Sequence, residues 1–155
     1  MKKKKLRNSV KAVIIKGDKL LVVKKKDGIS AYAVLPGGGQ KKDETLKQAL
    51  KREVLEEVGA KVKVGKLLHV REYFSEKSKF AYEDRALHQV EFFFNCELQE
   101  DYKPRNGKNP DTRQETVVWV KLNKLDEINF YPVILRKILR NLKNGDAPLY
   151  LGECN

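Results

Sequence analysis

Between Gly38 and Ala60 the chain reads GGQKKDETLKQALKREVLEEVGA, which sets Glu44, Arg52, Glu53, Glu56, Glu57 and Gly59 at fixed offsets from Gly38. If the stretch is helical, with about 100° per residue and Leu46 at zero, Leu50 falls near about 40°, Val54 near about 80° and Ala49 near about 300°. Glu53 then lies near about 340°, Glu57 near about 20° and Glu56 near about 280°. Three carboxylates therefore share a side with the apolar stripe, whereas a solvated surface helix sets its charges opposite that stripe. Crowded acids beside a core repel one another and are poorly solvated unless a cation compensates them. An oxygen-only set of this kind suits Mg²⁺ or Mn²⁺. Arg52 precedes Glu56 by four residues, so its guanidinium can hold neighbouring carboxylates ionised. Taken alone, Arg52–Glu56 is an ordinary helix-surface ion pair; within this constellation it belongs to the acid cluster.

The helix is preceded by Leu35-Pro36-Gly37-Gly38-Gly39, where glycines permit close backbone approach to a metal or a phosphate. No Gly-Lys-Ser/Thr follows, so the segment is not a P-loop. Structurally it reads as a turn leading into the helix, with Asp43 as N-cap.

The pattern G-x5-E-x7-R-E-U-x-E-E-x-G-U, with U aliphatic, closely resembles the signature of the Nudix (MutT-type) hydrolases. Gly38, Glu44, Arg52, Glu53, Glu56, Glu57 and Gly59 match as identities, Val54 fills the first aliphatic position and Ala60 is a small variant of the last. Where relatives often carry an acid and a glycine before the first glutamate, this chain has Lys41 and Asp43. The resemblance implies that Glu53, Glu56 and Glu57 bind metal, with Glu53 a candidate for the base that activates water. It implies that Arg52 and Glu44 orient those acids, and that a carbonyl of Gly37 or Gly38 joins the metal shell. It also implies an α/β/α sandwich and hydrolysis of a nucleoside diphosphate linked to another moiety.

Outside this box, Glu115 shortly before Trp119 is a candidate fourth ligand or base, or else a surface loop acid. Lys24, Lys25 and Lys26 leave a strand just before a loop; one of them, Lys24 foremost, could reach a substrate phosphate, although a solvated strand end is the first reading of any single lysine. Gly39 and Arg71 are further substrate candidates. Tyr73 and His88 lie in segments plausible for substrate contact, and Glu91 sits in an apolar strand, either at an edge or turned into the site. Glu76 and Glu83 are loop acids with no stronger claim. No Ser/His/Asp or Cys/His constellation exists, which disfavours covalent catalysis.

These residues need a scaffold, and 155 residues suffice for about one domain. Apolar runs predict strands at Val10–Ile15, Leu20–Val23, Tyr32–Leu35, Lys61–Phe74 with a break at Gly65, Leu87–Leu98 and Val117–Val120. Helices are expected over the acid box, over Leu122–Ile128 and from Val133 to Leu142, with Gln99–Thr112 a loop and Pro148–Gly152 extended. Strands grouped around two main helices predict an α+β fold, a mixed sheet flanked by helices, in a single domain over residues 1–155.

The net charge of +12, from 33 Lys and Arg against 21 Asp and Glu, favours anionic ligands. The opening run Lys2–Lys5 reads as a solvated tail within residues 1–7. Basic residues are not interleaved with aromatics as a nucleic-acid stacking platform requires, so a small nucleotide is favoured over RNA as the partner. No apolar run reaches the ~20 residues that span a bilayer, and two cysteines are too few for a disulfide framework. Cytoplasm is the default expectation. An RNA 5′-end pyrophosphohydrolase is the nearest alternative. A nucleotide sensor without catalysis is another, but it would be expected to lack one or more box acids, and here all are present.

Overall fold

The computed structural model describes residues 4–77 and 87–155. Eight strands form one mixed sheet: β1 (Lys5–Lys16), β2 (Lys19–Asp27), β3 (Ser30–Val34), β4 (Gly37–Gly39), β5 (Val62–Phe74), β6 (Leu87–Leu98), β7 (Gln114–Lys121) and β8 (Tyr150–Glu153). The main path runs β3-β2-β1-β6-β5-β8, with β4 paired to β1 and β7 to β2. Helix α1 (Leu46–Val58) and helix α2 (Val133–Arg140) cover the two faces.

Side chains alternate across a strand, and the core divides accordingly. Val10, Ala12 and Ile14 of β1 join Leu21 and Val23 of β2 beneath Ala49, Leu50, Val54 and Val58 of α1. Their neighbours Val13, Leu20 and Val22 pack on the other face with Phe93, Leu135 and Leu139. Two apolar layers on opposite faces of one sheet make the expected α/β/α sandwich. Among the described residues, no helix is long and apolar enough to cross a membrane.

Several local expectations are corrected. Residues 5–7 are not tail but the start of β1, where Lys5, Leu6 and Arg7 pair in parallel with Leu87, His88 and Gln89. Their polarity hides a strand whose backbone is satisfied by a partner eighty residues away. Lys4 carries no regular structure and pairs with Glu76 at 2.9 Å, and Lys2 and Lys3 lie outside the described residues. The glycine segment forms strand β4 rather than a turn, antiparallel to β1 through Ser9–Gly39, Val10–Gly38 and Lys11–Gly37.

The N-cap is Thr45 rather than Asp43. Thr45 is extended and shares a capping box with Gln48, whereas Asp43 has a φ of 65°, a left-handed conformation in the place where relatives often carry glycine. The short helix expected at Leu122–Ile128 is present, as a 3-10 helix, and α2 stops at Arg140 before a further 3-10 turn, Leu142–Asn144. The break near Gly65 corresponds to register shifts in the β5–β6 ladder between Val64 and His69.

At Gly37 φ is +147°, and an added Cβ would meet the Val10 carbonyl oxygen at 1.9 Å. Gly37→Ala is therefore expected to lose about 3 kcal/mol or more, since backbone strain and overlap act together. Gly145→Ala, at φ +63° with open space around it, should lose only about 1–2 kcal/mol. Urea unfolding of both variants against wild type checks the contrast.

Candidate active site

Helix α1 brings its acids to one wall of a cavity of about 800 Å³, a wall shared with Gly37, Gly38 and Gly39 of β4. The capping box starts the helix and Gly59 ends it, so Glu53, Glu56 and Glu57 fall on the side turned toward β4. Glu57 is only 6% exposed and accepts the Gly37 N–H at 3.0 Å. Burial pushes the Glu57 carboxyl above the usual carboxylate range, and the pull of Lys11, the Gly37 N–H and Lys25 offsets this only in part. Glu53 lies against Gly38, where an added Cβ would sit 2.5 Å from Oε2.

Arg52 ties these parts together. Its Nε and Nη2 donate to the two oxygens of Glu44 at 3.0 and 2.5 Å. Nη1 donates to Glu53 Oε1 at 2.8 Å and to Glu56 Oε2 at 3.4 Å, and Nη2 also reaches the Gly39 carbonyl at 3.1 Å. The Arg52 hydrogen bonds, with the Lys41 N–H, hold Glu44 down at about 2; Arg52 itself is pushed up, first by its bonds to Glu44.

The donor set facing the cavity from this wall is all hard oxygen, which fits a divalent cation such as Mg²⁺, and the missing Cβ at Gly38 leaves the space that Glu53 occupies. As they stand, no three His, Cys, Asp or Glu side chains among the described residues converge on one metal position. Arg52 holds one oxygen each of Glu53 and Glu56, and the Gly37 N–H holds one of Glu57. Glu56, on the longest of these contacts, is the least constrained.

The remaining walls carry charges the sequence only partly announced. Arg71 lines the cavity, bonded to Glu91 and donating to the Cys154 carbonyl at 2.7 Å. Glu91 is thus turned into the site rather than to an edge, and Tyr73 also lines it. Lys24 does not line the cavity; Lys25 does. Adjacent strand residues face opposite ways, so the choice among three lysines depends on register. Lys25 donates to Asp111 at 2.7 Å. Burial opposes its charge, yet the Asp111 bond outweighs that and raises its pKa.

Glu115 is corrected as well: it lies on β7, exposed and outside the cavity lining. It falls at the register shift between the paired residues Gln114 and Thr116, and Asp111 is the loop acid that reaches the wall. His88 bonds Glu72 at 2.9 Å and stacks on Phe74 instead of facing the cavity. Glu83 lies outside the described residues. Sequence reasoning missed Arg7, Lys11, Gln89 and Asp111, all in the lining. Only Lys11, a lone cation between Val10 and Ala12 of an apolar strand, left a readable signal.

The segment between β6 and β7 closes the C-terminal end of α1, whose last four carbonyls have no partner within a helix. Leu55 O accepts from Gly59 N, Glu56 O from Asn109 N, Glu57 O from Gly107 N and Gln114 Nε2, and Val58 O from the Tyr102 hydroxyl.

The depressed Glu44 carboxyl dictates an acid response. The unfolded chain protonates first, near the ordinary 4.5, so the stability is present above that value and is lost as pH falls toward about 2. Glu44→Gln is expected to be less stable than wild type at neutral pH, with the difference closing across that window. Denaturant melts from pH 7 to about 2.5 measure it; a constant difference would mean that Glu44 is not held by charge.

A family model, the NUDIX domain, matches residues 5–142. No curated protein matches the chain. Among solved structures, a NUDIX hydrolase from Nitrosomonas europaea is similar at TM-score 0.70 and 22% identity, covering 91% of this chain and 90% of that one. An ADP-ribose pyrophosphatase from Streptococcus suis is similar at TM-score 0.60 and 21% identity, over 95% and 97% of the two chains. The MutT protein from Methanosarcina mazei Go1 is similar at TM-score 0.67 and 20% identity, over 94% and 98%. At these identities the structures establish the fold, while the domain model covers most of the sequence, acid box included. The chain belongs to the NUDIX family of hydrolases.

Proposed function

We propose that the enzyme hydrolyses the diphosphate bond of a nucleoside diphosphate linked to another moiety, with Mg²⁺ or Mn²⁺ held by Glu53, Glu56, Glu57 and a carbonyl of Gly37 or Gly38. The observation that carries this reading is the single wall of carboxylates and bare glycine backbone, faced by cationic side chains across a cavity of ligand size. Among the similar structures, one is named an ADP-ribose pyrophosphatase and another a UDP-X diphosphatase, both names in keeping with this class. A cavity of about 800 Å³ suits a small nucleotide better than a folded RNA.

In this mechanism Arg52 fixes one oxygen of Glu53 and leaves the other to take the proton of the attacking water. Glu44 and the Gly39 carbonyl hold Arg52 in turn, so the base is oriented from two sides. A bound divalent cation would neutralise phosphate charge and make the water more acidic. Lys25, paired with Asp111, shares the cavity lining with Lys11. Cytoplasm, where nucleotides are abundant, is the location that goes with this activity.

Phosphate release from a panel of nucleotides with Mg²⁺ and with Mn²⁺ tests the activity and its substrate together. On the best substrate, Glu56→Gln should fold normally and lose at least about 100-fold in kcat, because an amide is a poor substitute for a metal-binding carboxylate. Near-wild-type turnover would remove Glu56 from the metal set.

Glu57 gives a second test. Its raised carboxyl means that ionisation at neutral pH costs stability in the fold. In chelator, Glu57→Gln should therefore melt at or above wild type. A Mg²⁺ titration should then raise the wild-type midpoint more than the variant's, by mass action on the native state. Equal shifts would mean that Glu57 does not bind the cation.

A further inference from the structure

The glycine strand β4 has two sides. On one lie the acids of α1, with Glu53 packed on Gly38 and Glu57 bonded to the Gly37 N–H. On the other lies β1, whose residues 7, 9 and 11 point the same way. Ser9 is fully buried and donates to the Gly38 carbonyl at 3.2 Å. Arg7 comes within 3.5 Å of where a Gly39 Cβ would be, and Lys11 sits in register opposite Gly37. Both cations line the cavity.

Each of the other two cations of the lining is neutralised by a carboxylate: Arg71 by Glu91 and Lys25 by Asp111. Arg7 is bonded to a neutral amide, Gln89, at 2.5 Å. Lys11 has no hydrogen-bond acceptor or carboxylate within bonding distance among the described residues. It feels Glu91 and Glu57 only through space, in a setting so enclosed that burial lowers its pKa. Lys11 is only partly buried and lines the cavity, so its ammonium can donate to an acceptor that enters there. No carboxylate among the described residues is within ion-pair distance of it, so an anionic ligand in the cavity is the acceptor that suits it.

We propose that Lys11 binds a non-bridging oxygen of the substrate's phosphate chain, gripping it from the side of the glycine strand opposite the α1 carboxylates. The chain then lies over backbone alone, with acids and their cation on one flank and the β1 ammonium on the other. Such a charge-assisted bond is directional and stronger than a neutral one. It also gives the chain a phosphate contact that persists without a divalent cation. The inference rests on the reading of the cavity as a phosphoanhydride site, but binding can be measured without turnover.

The test uses inorganic tripolyphosphate with the full-length protein in chelator, by calorimetry, on wild type, Lys11→Met, Lys11→Arg and Lys24→Met. Lys24 lies outside the cavity lining and serves as control. Wild type and Lys24→Met should bind alike, Lys11→Met at least about tenfold more weakly, and Lys11→Arg close to wild type. With whatever nucleotide the enzyme hydrolyses, Lys11→Met should raise KM by a similar factor and lower kcat by less.

A direct measurement on wild type covers the case in which Lys11→Met does not fold. Tripolyphosphate should protect the Lys11 amine from reductive methylation, read by mass spectrometry, and leave Lys24 labelling unchanged. Undiminished binding by Lys11→Met, no binding by wild type, or equal labelling with and without the anion would each overturn the proposal. They would leave Lys11 as a counter-charge for Glu57 and Glu91. If no nucleotide is hydrolysed but the binding and protection results hold, the proposed activity fails and the phosphate contact stands.

Discussion

Between strand β1 and helix α1 there is room for backbone and nothing more. Gly37 lies so close to the Val10 carbonyl that it admits no side chain, and at Gly38 a side chain would have to displace the Glu53 carboxylate. The ribbon is held from both directions, by Ser9 on Gly38 and by Arg52 on Gly39. Because this spacer is thin, α1 sits close over the sheet and its acids open on a cavity instead of on solvent. The buried N–H of Gly37 donates to Glu57, the most buried of the three box acids.

Charge is then organised around that geometry. Five hydrogen bonds from one guanidinium, Arg52, join a loop acid, two helix acids and the glycine strand. Bidentate geometry of the kind made to Glu44 is something lysine cannot supply. Across the cavity, Arg71–Glu91 is a buried pair, in which removal of either partner would strand the other. The overall charge of +12 draws anions toward the molecule, while inside the cavity Arg71 and Lys25 are matched by carboxylates and Arg7 and Lys11 are not.

The segment between β6 and β7 links two jobs. Its backbone and side chains satisfy the final carbonyls of α1, and its residues Asn109 to Thr112 form part of the cavity wall. Gly107 passes so close to the Glu56 carbonyl that an added Cβ would overlap it at 2.2 Å. The end of the acid-bearing helix and the opposite wall are therefore parts of one packed unit, with Asp111 pinned to Lys25.

The acid box was legible in the sequence because helical periodicity is local: four residues and 100° of turn decide which face Glu53, Glu56 and Glu57 share. The same holds for the long apolar strands and hence for the α/β/α layering. What the sequence left open depends on pairings between distant segments. Arg7 reads as tail until β6 pairs with it, and Lys24 and Lys25 are indistinguishable until strand register assigns each a face. Glu115 and Asp111 are both acids near β7, and only the path of the chain puts one on the wall and the other in solvent. Sequence by itself determined the acid-bearing helix and the fold class. Tertiary structure decided which cations face that helix, because a side chain's direction on a strand is set by a partner that sequence proximity does not reveal.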